Sequence, residues 1–289
     1  MNDYAIITDV TCDLPVELID KHNLIVMPMQ YSVDDKNYTN YPDFREQSLK
    51  DFYSDMEAGK VTHTVQLNSE VYKETYKKYL DEGKDILGVI FSSGLSGSFN
   101  SARIAVDELK EEYPNNKIMI VDTLAASTGE GMIALKAALN KEAGLTIEEN
   151  FKAIEDIKLH VAHWFTVSNL EYLRRGGRVS NAAAYAAKVL NIKPVLHVDN
   201  EGHLIPVSKK IGRKNSIKEI VKEYQDTFDK SSDTIIISHA ECIEDANYLK
   251  SLVLEVSSPK NIIISNIGTV IGSHSGPGTL ALYFIASKR

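Results

Sequence analysis

ILGVIFSSGLSGSFNSARIAVDELKEEY, residues 86–113, is the stretch whose reading decides the fold. Its first six residues are a short, continuous apolar run of the kind a buried strand makes. From Phe99 onward the pattern changes: Phe99, Ala102, Val106, Leu109 and Tyr113 recur at helical spacing on one face. Between strand and helix, residues 91–98 hold four serines and two glycines. A buried strand running through a loop into an amphipathic helix is half of a βαβ unit and predicts a parallel sheet. The loop then lies at the carboxyl end of the sheet, where open α/β sheets bind ligands.

The same grammar extends both ways. YAIIT (4–8), LIVMPMQYSV (24–33) and KIMIV (117–121) read as further strands, with helical patterns between them. GEGMIALKAALNKEAG adds a helix that Gly144 ends. The second half differs. A short helix NLEYLRR and an alanine-rich helix NAAAYAAKVLN precede KPVLHVDNEGHLIPVSKKI, a hairpin turning at residues 199–202, with Gly202 free to take positive φ. Alternating helices and strands follow. The pattern predicts an α/β protein of two domains. Residues 1–162 form a three-layer α/β/α unit with a mostly parallel sheet. Residues 163–289 form a smaller α/β unit with a mixed sheet and helices against one face.

A chain of 289 residues with 43% hydrophobic and 25% charged residues is a globular protein by composition. Its net charge of −8 argues against nucleic acid as a general partner. Two cysteines, Cys12 and Cys242, allow one bridge at most and exclude a cysteine-rich metal site; the count suits a reducing compartment. No segment approaches the roughly 18 apolar residues of a membrane span, and MNDYAIITDV lacks a signal-peptide pattern. The expected location is the cytoplasm, with no membrane insertion.

Five stretches carry chemistry, among them KVTHTVQ (60–66), which sets Thr62, His63 and Thr64 between two helices as an edge strand or a binding loop. The serine loop offers hydroxyls and bare amides with no lysine, so it is not a P-loop. It is not G-x-G-x-x-G either, and Gly97 falls one place early for a nucleophile elbow. A neutral set of this kind suits a carboxyl group or a single phosphate. ITDVTCDLP places Asp9 and Asp13 after the first strand, where Asp13 reads as an N-cap ahead of Pro15. His274 stands before Gly276-Pro277-Gly278, and a lone loop histidine is most often a hydrogen-bonded structural one. Arg174, Arg175 and Arg178 surround Gly176 and Gly177. They read equally as a helix end, with Gly176 just past it, and as a dock for an acidic partner. A rival enzyme reading assembles a serine hydrolase from Ser93 or Ser96, His274, and Asp9 or Asp122.

Taken together, IITDVTCDLP, FSSGLSGSFNSAR, VDTLAASTGEG, LEYLRRGGRVS, NIKPVLHVDNEGHLIPV and IGTVIGSHSGPGTLALYF resemble the motifs of the DegV family, in family order and over nearly the whole chain. The resemblance implies two α/β domains that clasp a long-chain fatty acid between them. It implies a non-catalytic subunit, without metal or cofactor, that presents the fatty-acid carboxyl group to a separate fatty-acid kinase subunit, whose acyl phosphate serves phospholipid synthesis. By the same resemblance Thr62, Ser93 and His274, with Ser92 adjacent, form the carboxyl network, and Arg174, Arg175 and Arg178 are candidates for kinase docking. Val10 and Cys12 replace small polar residues of the family's opening, and His63 stands where a serine is expected after Thr62.

Overall fold

Four parallel strands make the first sheet: β1 (Tyr4–Asp9), β2 (Ile25–Met27), β6 (Asp85–Ile90) and β7 (Ile118–Asp122), in the order β2-β1-β6-β7. The computed structural model from which they are taken describes residues 3–179, 191–230, 232–287 and 289. Alternate side chains face opposite sides of this sheet. Ile7, Ile86 and Ile90 pack with Tyr72 and Tyr76 of α3 (Ser69–Asp81) and with Ala102, Val106 and Leu109 of α4 (Ser98–Glu112). Ile6, Leu87 and Val89 face α5 (Thr128–Glu142) and α6 (Ile147–Ile157). The strand–loop–helix of residues 86–113 thus folds as its pattern requires.

The second sheet is mixed, with six strands to the first sheet's four. Its order is β10-β9-β8-β13-β11-β12, with β11 and β12 parallel and the other pairs antiparallel. The strands are β8 (Val161–Thr166), β9 (Ile192–Val198), β10 (Leu204–Ile211), β11 (Thr234–His239), β12 (Asn261–Asn266) and β13 (Leu280–Ile285). The expected hairpin is β9–β10, and Gly202 has φ +79°. One face carries α8 (Arg213–Thr227) and α9 (Ile243–Val256) through Ile217, Ile220, Leu249 and Val253. The other face meets α5. Leu87 of the first sheet, Ala134 and Ala137 of α5, and Leu196 and Tyr283 of the second sheet belong to one continuous core. A helix buried on nearly all sides needs an apolar surface all round, and the small side chains of GMIALKAAL supply it.

Two expectations fail locally. Residues 24–33 are not one strand: Pro28 has no N–H to give a ladder, and the chain changes sheet there. The continuation, β3 (Met29–Val33), joins β4 (Lys36–Asn40) and β5 (Thr62–Val65) in a three-stranded antiparallel sheet of order β4-β3-β5. Asp13 does not cap α1 (Val16–Lys21), whose N-cap is Pro15. Asp13 instead ends a 3-10 turn (Val10–Cys12) with φ +49°. The expected helix NAAAYAAKVLN lies, apart from Asn191, outside the described residues. Cys12 and Cys242 are both free.

Candidate functional site

Between the two sheets lies a cavity of about 190 Å³. Met29, Phe91 and Leu95 line it from the first half of the chain, and Phe165, Val198 and Leu204 from the second sheet. Val270 and Ile271 of α10 (Thr269–Ser275) and Leu173 of α7 (Glu171–Arg175) complete the apolar wall. Polar side chains gather where the wall meets solvent: Thr64, Gln66, Ser96, Arg178 and His274. Gln66 and Arg178 are exposed, and the other three are half-buried. The site is an apolar slot with a polar mouth.

Four segments build that mouth. On β5, Thr62 and Thr64 share a face, and both reach the end of α10. Thr64 Oγ1 and His274 Nε2 are 2.9 Å apart, while Thr62 Oγ1 donates to the Ser273 carbonyl at 3.3 Å. The serine loop joins through Gln66, whose Oε1 accepts from Gly97 N at 3.1 Å, and through Arg178, whose Nε donates to the Leu95 carbonyl at 3.3 Å. Gly176 closes the far side of the imidazole: a Cβ there would stand 2.4 Å from His274 Nδ1. Burial, with the Arg178 guanidinium nearby, pushes the His274 pKa down to about 4. At neutral pH the mouth therefore holds a neutral imidazole beside one guanidinium.

The four serines of the loop divide the work. Ser92 is fully buried; its Oγ donates to the Gly202 carbonyl at 2.9 Å and accepts from Gly94 N. Gly94 itself lies against the hairpin turn, where a Cβ would come within 2.6 Å of the Glu201 carbonyl oxygen. This pair ties the first half of the chain to the β9–β10 hairpin, a packing role. Ser93 is exposed, with its backbone N–H on Asp122 Oδ1, and does not line the cavity. Ser96 does line it; its Oγ is 3.0 Å from that of Ser98 and accepts from Ser98 N.

Of the residues expected to form the carboxyl network, the structure brings His274 to the cavity and leaves Ser92, Ser93 and Thr62 off its wall. Thr64 and Ser96 stand there instead. Gln66, two residues after Thr64, ties this end of β5 to the serine loop. Arg178, expected with its neighbours as a docking candidate, is exposed and also lines the mouth. Gly177, at φ +67°, turns the chain back after α7; Gly176 is the helix's own C-cap at φ −69°. Arg174 and Arg175 remain on the surface, both paired with Glu171, whose carboxyl they hold down at about 2. Among the described residues His274 meets Thr64 and packs against Gly176, and Asp122 accepts from the backbone N–H groups of Ser93 and Leu124.

Beneath the slot lies a buried acidic network. Thr11 Oγ1 sits between Asp9 Oδ1 and Glu130 Oε2, and Thr8 donates to Glu130 Oε1 at 2.9 Å. Burial raises the pKa of both acids. Asp13 accepts from Ser127 Oγ at 2.6 Å and Gly268 N at 2.9 Å; burial still lifts it to about 8. No group of three or more metal-ligating side chains occurs among the described residues, and none of their helices is long and apolar enough to cross a membrane.

A two-domain α/β protein with an apolar slot between its sheets and a polar mouth is a small-molecule-binding class. The chain belongs to the DegV family, whose model, described as one of uncharacterised proteins, matches residues 3–287. A DegV domain-containing protein of Clostridium perfringens is 38% identical over 290 residues, covering 100% of this chain and 99% of that protein. A DegV lipid-binding protein of Thermotoga maritima is 31% identical, covers 99% of each chain and superposes with a TM-score of 0.87. A second Thermotoga maritima protein, for which a fatty-acid-binding function was found, is also 31% identical; 99% of this chain and 100% of that one are covered, with a TM-score of 0.86.

Proposed function

We propose that this protein binds a long-chain fatty acid in the slot, with the acyl chain between the two sheets and the carboxyl group at the mouth. The observation that carries the reading is the segregation of the lining: the buried wall is mainly apolar, with most of its polar groups bonded to protein, and Thr64, Ser96, His274, Gln66 and Arg178 cluster where it opens to solvent. Burying an acyl chain contributes about 0.8 kcal/mol per CH₂ before ordering costs. Thr64, Ser96 and His274 hold the carboxyl group. Of the residues the family resemblance points to, Ser92 and Thr62 brace the serine loop and β5 from behind, while Ser93 stands exposed on the same loop. The two Thermotoga relatives, described as lipid-binding and fatty-acid-binding, support the ligand class.

A carboxyl group held at a solvent-facing mouth by mostly neutral donors can be handed on without breaking a buried ion pair. We therefore assign the protein as a non-catalytic carrier that presents the acid to a separate fatty-acid kinase subunit. The exposed Arg174 and Arg175 offer an acidic partner its docking charge, and Arg178 offsets negative charge as the phosphoryl group arrives. The test is reconstitution with a fatty-acid kinase subunit, ATP and hexadecanoic acid, trapping acyl phosphate with hydroxylamine. Product that requires both proteins, and falls in Arg174→Glu/Arg175→Glu, supports the assignment. Product made by the kinase alone contradicts it.

A further inference from the structure

Most polar side chains lining the buried part of the slot are already spent on the protein. His163 bonds the Val161 carbonyl through Nδ1 and meets Ala126 N through Nε2; Thr11 lies between two carboxyl groups, and Ser127 donates to Asp13. Thr279 Oγ1 donates to the carbonyls of Ser275 and Gly276. Ser275 is different. It lines the slot at 6% exposure, and its Oγ is the one buried side-chain polar atom of that lining without a hydrogen-bond partner among the described residues. A hydroxyl left in this state is a standing cost. Against an unsubstituted acyl chain, alanine would make the better wall.

The place of Ser275 on α10 says which part of the ligand it meets. Val270 and His274 are four apart and form one row of the helix; Ile271 and Ser275 form the next. His274 looks to the mouth, while Ser275 lies in the row that Ile271 gives to the acyl wall. Neighbouring Cα atoms are about 3.8 Å apart, so a group meeting Ser275 lies within a few carbons of the carboxyl end. The Ser275 oxygen is itself closed to solvent, so it meets a ligand hydroxyl through a change of its χ1 rotamer.

We infer that the site takes a fatty acid hydroxylated near its carboxyl end, of the 3-hydroxy class, with Ser275 as the residue that distinguishes it from the plain acid. This rests on the fatty-acid reading above. The test is competition binding of hexadecanoic, 3-hydroxyhexadecanoic and 16-hydroxyhexadecanoic acids to the full chain and to Ser275→Ala. The expected result is about fivefold tighter binding of the 3-hydroxy acid than of the plain acid, one net hydrogen bond's worth. That preference is lost in Ser275→Ala, which still binds the plain acid and so reports an intact fold. Equal binding of the plain and 3-hydroxy acids by the wild type overturns the inference, and so does a preference that survives in Ser275→Ala or is matched by the 16-hydroxy acid. If Ser275→Ala weakens the plain and 3-hydroxy acids alike, Ser275 serves the carboxyl group and the inference fails. Failure of all three acids to bind the wild type sinks the fatty-acid reading itself, a different outcome from plain acid binding without a hydroxyl preference.

Discussion

Gly176→Ala places a methyl group against the residue on which the mouth depends. Gly176 has φ −69° and ψ −14°, so alanine fits its backbone without strain, and the shorter list of unfolded conformations would by itself stabilise the protein by about 0.4–1 kcal/mol. The side chain does not fit. Its Cβ would stand 2.4 Å from His274 Nδ1, about 1 Å inside ordinary contact, while the opposite ring nitrogen already meets Thr64 at 2.9 Å. The ring cannot retreat along that line without driving into Thr64, so it must swing and give up the hydrogen bond. Losing one net bond costs about 1 kcal/mol, which is roughly fivefold in Kd. Isothermal titration with hexadecanoic acid reads the affinity, and a thermal melt reads the fold; the expected pair is weaker binding with Tm nearly unchanged. Gly177→Ala is the mirror control. It has open space but φ +67°, so it should lose about 1–2 kcal/mol of stability and keep its affinity. Unchanged affinity in Gly176→Ala would refute the placing of His274 at the ligand.

Three more outcomes follow from the same geometry. Ser92→Ala leaves the Gly202 carbonyl unpaired in a buried place and should lower stability by about 1–3 kcal/mol, seen as a lower denaturation midpoint at an unchanged slope. Thr64→Val keeps the shape of β5 but removes the partner of His274, so affinity should fall several-fold; Thr62→Val, whose hydroxyl donates to the Ser273 carbonyl, should cost less. Native His274, with its pKa at about 4, stays neutral where the unfolded chain's histidine, at about 6.5, takes a proton. Its stabilising contribution is complete above pH 6.5 and drains as the pH falls toward 4, by up to about 1.4 kcal/mol per unit. Melts of wild type and His274→Gln at pH 7.5 and 5 should diverge accordingly, with the wild type losing more on acidification.

Periodicity carried the sequence reading as far as periodicity goes. Residues 86–113 declare a buried strand and a one-faced helix because each repeats its pattern over several turns or pleats. The change of sheet at Pro28 is a single-residue event inside an otherwise apolar run, and β4, KNYTN, has no apolar alternation to announce it. The central place of α5 was invisible for a related reason: its small residues mark burial but not which two sheets enclose it. At the site, residue types pointed to segments that meet the slot but could not say which of their members line it. Ser92, Ser93 and Ser96 are chemically alike, and only tertiary packing sends one to the hairpin, one to solvent and one to the slot. Thr62 and Thr64 share a strand face, so their order along β5 decides which meets the imidazole. Arg178 parts from Arg174 and Arg175 because Gly177 reverses the chain between them.

The central claim is that the slot binds a fatty acid by its carboxyl group through Thr64, Ser96 and His274. Native mass spectrometry of the protein incubated with hexadecanoic acid, beside a Thr64→Val/Ser96→Ala variant, tests it most directly. A one-to-one acyl adduct is expected on the wild type, absent or strongly depleted on the variant. A wild type that stays at its bare mass, or a variant that retains the adduct undiminished, would contradict the claim.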